Sequence, residues 1–325
     1  MPNWRLASKT PDPLRAILNV IQVRQRRCDT SNVQQAKRQP AHVCKSQKRV
    51  DMTTPLRVLG GARATAKTLR RSAMAHLHEA ALLMSAAATS PLRLVGGRFE
   101  SVSMSPQSKA RATSTTRPVL LVHGFGGAKS QWSLVAQALS ARGLSVEAIT
   151  YAPLGTTVEQ LADQLVVEVE RTLSRTAADK VHLVGHSLGG VVIALAIADR
   201  RLNGRVDRVI TLGSPFGGSP WAELLPFFES VRALRPGSPL LRRLASTPLP
   251  DGVRWLSVTA ALDIIVPGLR SVPFHAQVET VTVNNVGHLG MLLSRQVIAC
   301  IATAMCAHET ATAAEPATLL LRRVS

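Results

Sequence analysis

The chain has 325 residues, enough for one large domain or two smaller ones, and 46% of them are hydrophobic, which suffices for a sizeable core. The charge is unevenly spread: residues 1–117 hold 21 Lys and Arg against 5 Asp and Glu, a net +16, whereas residues 118–325 hold 18 against 15, a net +3. This asymmetry predicts a basic segment joined to an ordinary globular domain, and such a segment suits an anionic membrane surface. Specific nucleic-acid binding is not expected, because residues 1–60 contain one aromatic residue, Trp4, and no zinc-finger or RNP pattern.

The cysteine pattern and the hydropathy exclude further classes. Cys28, Cys44, Cys300 and Cys306 form no closely spaced pair, so neither a zinc site nor a disulfide framework is expected. No stretch reaches the roughly 18 apolar residues that span a bilayer, and the first thirty residues hold no apolar run of signal-peptide length. These features favour a cytoplasmic location or the periphery of a membrane, and secretion stays open if translation starts internally.

The first third of the chain differs from the rest. Residues 1–63 are basic and aperiodic, which predicts disorder, and Met52 is a plausible alternative start of translation. Residues 64–116 read as an amphipathic helix, over about 64–88, followed by a Ser/Thr-rich linker over 101–116. An alternative interpretation of the helix is a signal-peptide core, but charged residues interrupt it. Its apolar positions are three or four residues apart: Leu69, Ala73, Leu77, Ala80 and Leu83.

From residue 117 to 306 short apolar strands alternate with helical patterns, which predicts an α/β domain with a mostly parallel sheet and helices on both faces. The alternation of strand and helix patterns stops between about residues 216 and 250, where Pro, Leu, Phe and Arg predominate. A break of that length in a compact domain predicts a lid of short helices. Residues 307–325 form a C-terminal tail.

The segment "VHLVGHSLGG" (181–190) contains the pattern G-x-S-x-G between a Val/Leu strand and an apolar helix. In that context the central serine, Ser187, is exposed on a sharp turn as a nucleophile, and Gly185 and Gly189 must be small because strand and helix pass close by. The amide of Leu188 then points to where an acyl oxygen becomes negative. The alternative is a serine that merely caps the helix.

A second glycine-rich strand exit, "LLVHGFGG" (120–127), supports the nucleophile interpretation. Glycines there let backbone amides approach an oxyanion, and by position the amide of Phe125 is the second donor. A phosphate-binding loop is disfavoured, because neither G-K-[ST] nor G-x-G-x-x-G is present.

A serine nucleophile needs a base and an acid, which follow it in the order acid, then histidine. His288 in "NNVGHLGML" follows a strand, whereas His275 precedes one and His308 lies in the tail. Asp263 in "TAALDIIVP" stands at a strand exit. His288 and Asp263 are therefore the predicted base and acid, although Asp263 could also be an ordinary turn residue.

These motifs stand together in an order that resembles the α/β-hydrolase superfamily, and the chain looks most like bacterial lipases and esterases of the triacylglycerol-lipase type. The resemblance implies the α/β-hydrolase fold, with Ser187 as nucleophile, Asp263 as acid, His288 as base, and Phe125 and Leu188 as oxyanion donors. It implies no metal or organic cofactor. "LGSPFGG" (212–218) departs from the family's usual Thr-Pro-His-Gly-Gly-Thr, at positions outside the triad.

The resulting hypothesis is a serine hydrolase that cleaves hydrophobic acyl esters or lipids through an acyl-enzyme. Two alternatives stay open. The same triad serves acyltransferases and lipid-anchor deacylases. A non-catalytic protein could instead bind lipid or nucleic acid through the basic N-terminal segment.

Overall fold

The computed structural model describes Met74 and residues 99–104, 117–153, 155–224 and 227–306. The chain divides into two units, Met1–Arg57 and Val58–Ser325, and every described residue belongs to the second. The predicted basic segment of residues 1–63, the predicted helix of residues 64–88 apart from Met74, and the tail of residues 307–325 lie outside the described residues.

Among the described residues, seven strands form one sheet. In chain order they are β1 (Glu100–Ser103), β2 (Val119–Val122), β3 (Val146–Thr150), β4 (Val181–His186), β5 (Val206–Leu212), β6 (Arg254–Ala260) and β7 (Glu279–Val283). Their order across the sheet is β1-β3-β2-β4-β5-β6-β7, and every neighbouring pair is parallel except β1 with β3. The predicted mostly parallel sheet is confirmed.

Between residues 117 and 306 the structure describes six α-helices: α1 (Ser133–Ser140), α2 (Val158–Thr176), α3 (Leu188–Ala196), α4 (Glu229–Arg232), α5 (Pro239–Ser246) and α6 (Arg295–Cys306). The core has two apolar clusters, one containing residues of α2 and α3 and the other residues of α1 and α6. Along β2 the side chains alternate between them, Leu120 and Val122 in the first, Val119 and Leu121 in the second. Because alternate residues of a strand face opposite sides, helices cover both faces of the sheet. No described helix is both long and apolar enough to cross a bilayer.

The sequence interpretation was wrong at the start of the domain. Residues 101–116 read as a linker, but Glu100–Ser103 form β1, which pairs antiparallel with β3 at the edge of the sheet. The strand is short and half-exposed, so its composition need not be apolar. Ser101 also donates from its hydroxyl to Glu168 of α2 at 2.6 Å, which fastens the edge strand to a helix.

The predicted break between residues 216 and 250 contains a short 3₁₀ helix, Pro220–Glu223, together with α4 and α5. We call residues 216–250 the insertion. Its buried residues Val231, Leu240, Leu241 and Leu244 belong to the core cluster that contains α2 and α3. The insertion is therefore packed on the domain, and its action as a lid stays a prediction.

A buried ion cluster lies where β4, β5 and β6 begin. Asp207 is 4% exposed and contacts Arg117 at 3.0 Å and Arg254 at 2.8 Å, with His182 at 3.6 Å. Burial by itself raises the pKa of Asp207, but the hydrogen bond from Arg254 and the nearby positive charges outweigh it and lower that pKa. The carboxylate thus stabilises the fold at neutral pH, and this contribution is lost as the pH falls through the lowered value.

Replacing Asp207 by alanine should lower the free energy of unfolding by about 2 kcal/mol, because Arg254 then loses its buried partner and Arg117 keeps only Asp179. Urea denaturation at pH 7 measures this. Asp199→Ala is the matched control, since Asp199 pairs with Arg201 at 2.8 Å on the surface, and its loss should cost less than about 1 kcal/mol. Equal losses in the two variants would contradict the role given to the cluster.

Candidate active site

Ser187 occupies the turn between β4 and α3, with φ 53° and ψ −122°. A helix-capping serine has an extended backbone, and its hydroxyl accepts a hydrogen bond from the first turn. Ser187 has neither feature, because its backbone is left-handed and its side chain makes no capping hydrogen bond. Such strain in a non-glycine residue is typical of a functional site, so the structure favours the nucleophile interpretation over the cap.

Gly189, two residues after Ser187, is required to be a glycine for a steric reason. A Cβ on Gly189 would lie 2.6 Å from the carbonyl oxygen of His123 and closer still to that of Val122. The first turn of α3 therefore lies directly against the end of β2, which only glycine allows. This contact holds the loop after β2 beside the amide of Leu188.

Asp263 and His288 form a buried hydrogen-bonded pair. Asp263 follows β6, His288 follows β7, and their side chains meet with Nδ1 of His288 2.8 Å from Oδ2 of Asp263. They are 5% and 3% exposed. Oδ1 of Asp263 accepts hydrogen bonds from the amides of Ile265 at 2.9 Å and Val266 at 2.7 Å. The carboxylate is thus held at both oxygens, and Nε2 of the imidazole lies outside this pair.

The two predicted oxyanion donors lie close to Ser187. A Cβ on Gly124 would come within 2.9 Å of Ser187 Cβ, so the loop after β2 touches the serine. Within the described part of the chain, neither the Phe125 amide nor the Leu188 amide donates a hydrogen bond. Unpaired backbone amides can bind a developing negative charge, so the two amides keep their predicted role as oxyanion donors.

A cavity of about 240 Å³ joins these groups. Ser187, His288 and Phe125 contribute to its wall, as does Gln131. Most of the remaining wall is apolar and comes from the insertion and from the loop after Asp263: Ala222, Val231, Leu234, Ile265 and Val266. The five predicted site residues therefore converge on one end of the sheet, and three of them, Ser187, His288 and Phe125, line the apolar cavity.

Sequence reasoning missed His186, which precedes the serine. Its Nε2 donates to the backbone carbonyl of His288 at 3.1 Å, and the two rings lie 4.8 Å apart. Burial, with the charge of His288 as a smaller cause, lowers the pKa of His186 from 6.5 to about 3, so its imidazole is neutral. His186 thus fixes the backbone of His288, the predicted base. Because its own imidazole stays neutral, it does not take up the proton that the base would accept. The sequence shows the motif "GHS", but the contact between His186 and His288 joins residues about 100 positions apart. It could therefore be recognised only in the folded structure.

Two hydrogen bonds fasten the insertion to the loop that carries Asp263. Ser219 donates to the carbonyl of Ile265 at 2.5 Å, and Trp221 Nε1 donates to the carbonyl of Ile264 at 2.8 Å. Trp221 is 44% exposed. Other large apolar side chains of the insertion are exposed as well, including Leu224 and Phe227. The insertion, which contributes to the cavity wall, therefore also exposes an apolar surface to solvent.

Residues 119–276 match the alpha/beta hydrolase family. The chain has the α/β-hydrolase fold. In agreement, the mature form of the lipase BlEst2 from Bacillus licheniformis superposes with a TM-score of 0.54 at 16% identity, covering 63% of this chain and 97% of that one. Its propeptide form gives a TM-score of 0.51 at 19% identity, covering 62% and 53% of the respective chains. At these identities the likeness establishes the α/β-hydrolase fold.

Curated relatives of this α/β hydrolase include triacylglycerol lipases. The protein of that name from Burkholderia plantarii is 29% identical over 144 residues, which cover 41% of this chain and 39% of the relative. The one from Vibrio cholerae is 31% identical over 118 residues, covering 35% and 37%. The matched region thus spans about two fifths of the length of these relatives.

Proposed function

We propose that this α/β hydrolase is a serine carboxylic-ester hydrolase with Ser187 as nucleophile, His288 as general base and Asp263 as the acid that orients it. The observation that carries the proposal is the buried Asp263–His288 pair, whose histidine lines the same cavity as a strained serine, Ser187. That combination supplies a nucleophile, a base and an orienting group, which a serine hydrolase requires.

In the proposed mechanism, Ser187 Oγ attacks the ester carbonyl while Nε2 of His288 takes the hydroxyl proton. Asp263 stabilises the resulting imidazolium, and the amides of Phe125 and Leu188 bind the negative oxygen of the tetrahedral intermediate. When that intermediate collapses, the imidazolium gives its proton to the leaving alcohol. Water then attacks the acyl-enzyme with His288 again as base, which releases the carboxylic acid and restores the serine.

The cavity supports a hydrophobic acyl group as substrate. Its wall is mostly apolar, and a cavity of about 150 Å³ in another protein accommodates benzene. By proportion, 240 Å³ accommodates about ten carbon atoms. Relatives named triacylglycerol lipase agree with an ester of a fatty acid. We therefore propose medium-length acyl esters as substrates.

A fluorophosphonate probe tests the proposed chemistry, because it phosphonylates an activated serine and spares an ordinary one. We expect one probe per chain, attached to the peptide that contains Ser187, and a parallel loss of p-nitrophenyl decanoate hydrolysis. Mass spectrometry locates the label, and urea-unfolded protein is the control that should stay unlabelled. A native chain that takes up no probe and cleaves no ester from butyrate to decanoate would refute the proposal.

A further inference from the structure

Tyr151 is the only tyrosine of the chain and lies directly after β3, outside the predicted triad and oxyanion loop. It is 4% exposed, and its hydroxyl donates to the backbone carbonyl of His123 at 2.5 Å. The ring of His123 also stacks on the tyrosine ring, with centroids 4.1 Å apart and planes within 3° of parallel. Tyr151 therefore fixes both the backbone and the side chain of His123.

His123 in turn controls the next peptide group. Its Nδ1 donates to the carbonyl oxygen of Gly124 at 2.8 Å, and the amide of Gly127 donates to the same oxygen at 3.0 Å. That carbonyl shares a planar trans peptide with the amide of Phe125, so the C=O and the N–H point in opposite directions. Two donors on the Gly124 oxygen thus fix the direction of the Phe125 N–H.

The direction of that N–H matters only for a negative oxygen bound beside Ser187. An oxyanion donor works when it is aimed, before the reaction, at the position the charge will occupy. A peptide free to rotate would spend part of the time with its carbonyl toward the oxyanion, which repels it. The contacts of Tyr151 and His123 prevent that rotation.

We propose that Tyr151 and His123 are positioning residues that aim the Phe125 amide at the oxyanion, an inference that rests on the ester-hydrolase function proposed above. Tyr151 acts through His123, and His123 acts through the Gly124 carbonyl. Burial raises the pKa of Tyr151 above its ordinary value of 10, so the hydroxyl stays a donor across the working pH range.

The variant Tyr151→Phe keeps the stacked ring and deletes the hydroxyl. We expect kcat for p-nitrophenyl decanoate to fall about 10-fold, a fraction of the about 10²–10³ that loss of an oxyanion donor costs, with KM within twofold of the wild type. The inhibition constant of an alkyl boronic acid, which forms a tetrahedral adduct on the serine, should rise by about the same factor. His123→Phe, which keeps a ring but loses Nδ1, should have a larger effect. The double variant should add little, because both residues act through one peptide group.

Thr259→Val is the matched control, because it also deletes a buried hydroxyl. Thr259 donates to Thr282 at 2.8 Å between β6 and β7, away from the oxyanion loop. It should lower the melting temperature and leave kcat and the boronate constant unchanged. If Tyr151→Phe behaves like this control while the wild type is active, the positioning role is refuted. A wild type that neither cleaves esters nor takes up fluorophosphonate refutes the proposed function, and the positioning role with it.

Discussion

Replacing Ser187 by alanine is expected to lower kcat/KM for ester hydrolysis by at least about 10⁴-fold. Without the hydroxyl no acyl-enzyme forms, and the rate that remains comes from binding and the oxyanion amides alone. Folding should be retained, because alanine replaces serine with the loss of one atom, and that hydroxyl makes no capping hydrogen bond in the native structure. The left-handed backbone at this position is no harder for alanine than for serine.

The measurement is the initial rate on p-nitrophenyl decanoate, with the melting temperature recorded for each variant. Ser133→Ala is the matched control, since Ser133 lies exposed at the start of α1 and its hydroxyl only caps a turn, donating to the Ser130 carbonyl at 2.7 Å. It should keep wild-type activity and fluorophosphonate labelling. If Ser187→Ala retained more than about a hundredth of the wild-type rate with a native melting temperature, Ser187 would not be the nucleophile.

The change from Asp263 to asparagine should lower kcat by about 10⁴-fold while the protein stays folded. The amides of Ile265 and Val266 both donate to Oδ1, so they hold the amide oxygen of asparagine on their side. The NH₂ group must then occupy the place of Oδ2, 2.8 Å from Nδ1 of His288. There it donates, which forces Nδ1 to accept and moves the imidazole proton to Nε2. The base would then present a proton to Ser187 instead of a lone pair.

The pH profile distinguishes this effect from simple loss of structure. At high pH, hydroxide can replace the lost base, so the variant should regain part of its activity there while the wild type does not gain correspondingly. Asp251→Asn is the control, because Asp251 is exposed in a turn before β6 and should leave the profile unchanged. A variant with wild-type kcat at neutral pH would show that Asp263 is an ordinary turn residue.

The sequence was most informative where chemistry demands a particular residue at a particular strand end. Ser187, Asp263 and His288 each follow an apolar strand, and parallel strands place their carboxyl ends at one edge, so convergence could be expected before the fold was known. In the fold, Asp263 contacts His288, and His288 and Ser187 line the same cavity. Their catalytic roles remain proposals.

The supporting contacts could not be read from the sequence. His186 holds the backbone of His288, and Tyr151 holds His123, through hydrogen bonds between residues far apart in the chain. Nothing in the local pattern marks such partners, because a histidine before the serine or a tyrosine after a strand also suits an ordinary core. The edge strand β1 was missed for a related reason, since half-exposed edge positions impose little on composition.

The ion cluster around Asp207 has a practical consequence that follows from its place in the sheet. β4 and β6 each begin near this cluster, with His182 and Arg254. At its other end β4 leads to Ser187 in the cavity wall, and β6 leads to Asp263, the partner of His288. The cluster and the cavity share strands but no side chains. Thermal stability and catalytic rate can therefore be changed independently. Substitutions around Asp207 should change the half-life of the protein at high temperature, while kcat per folded molecule stays the same.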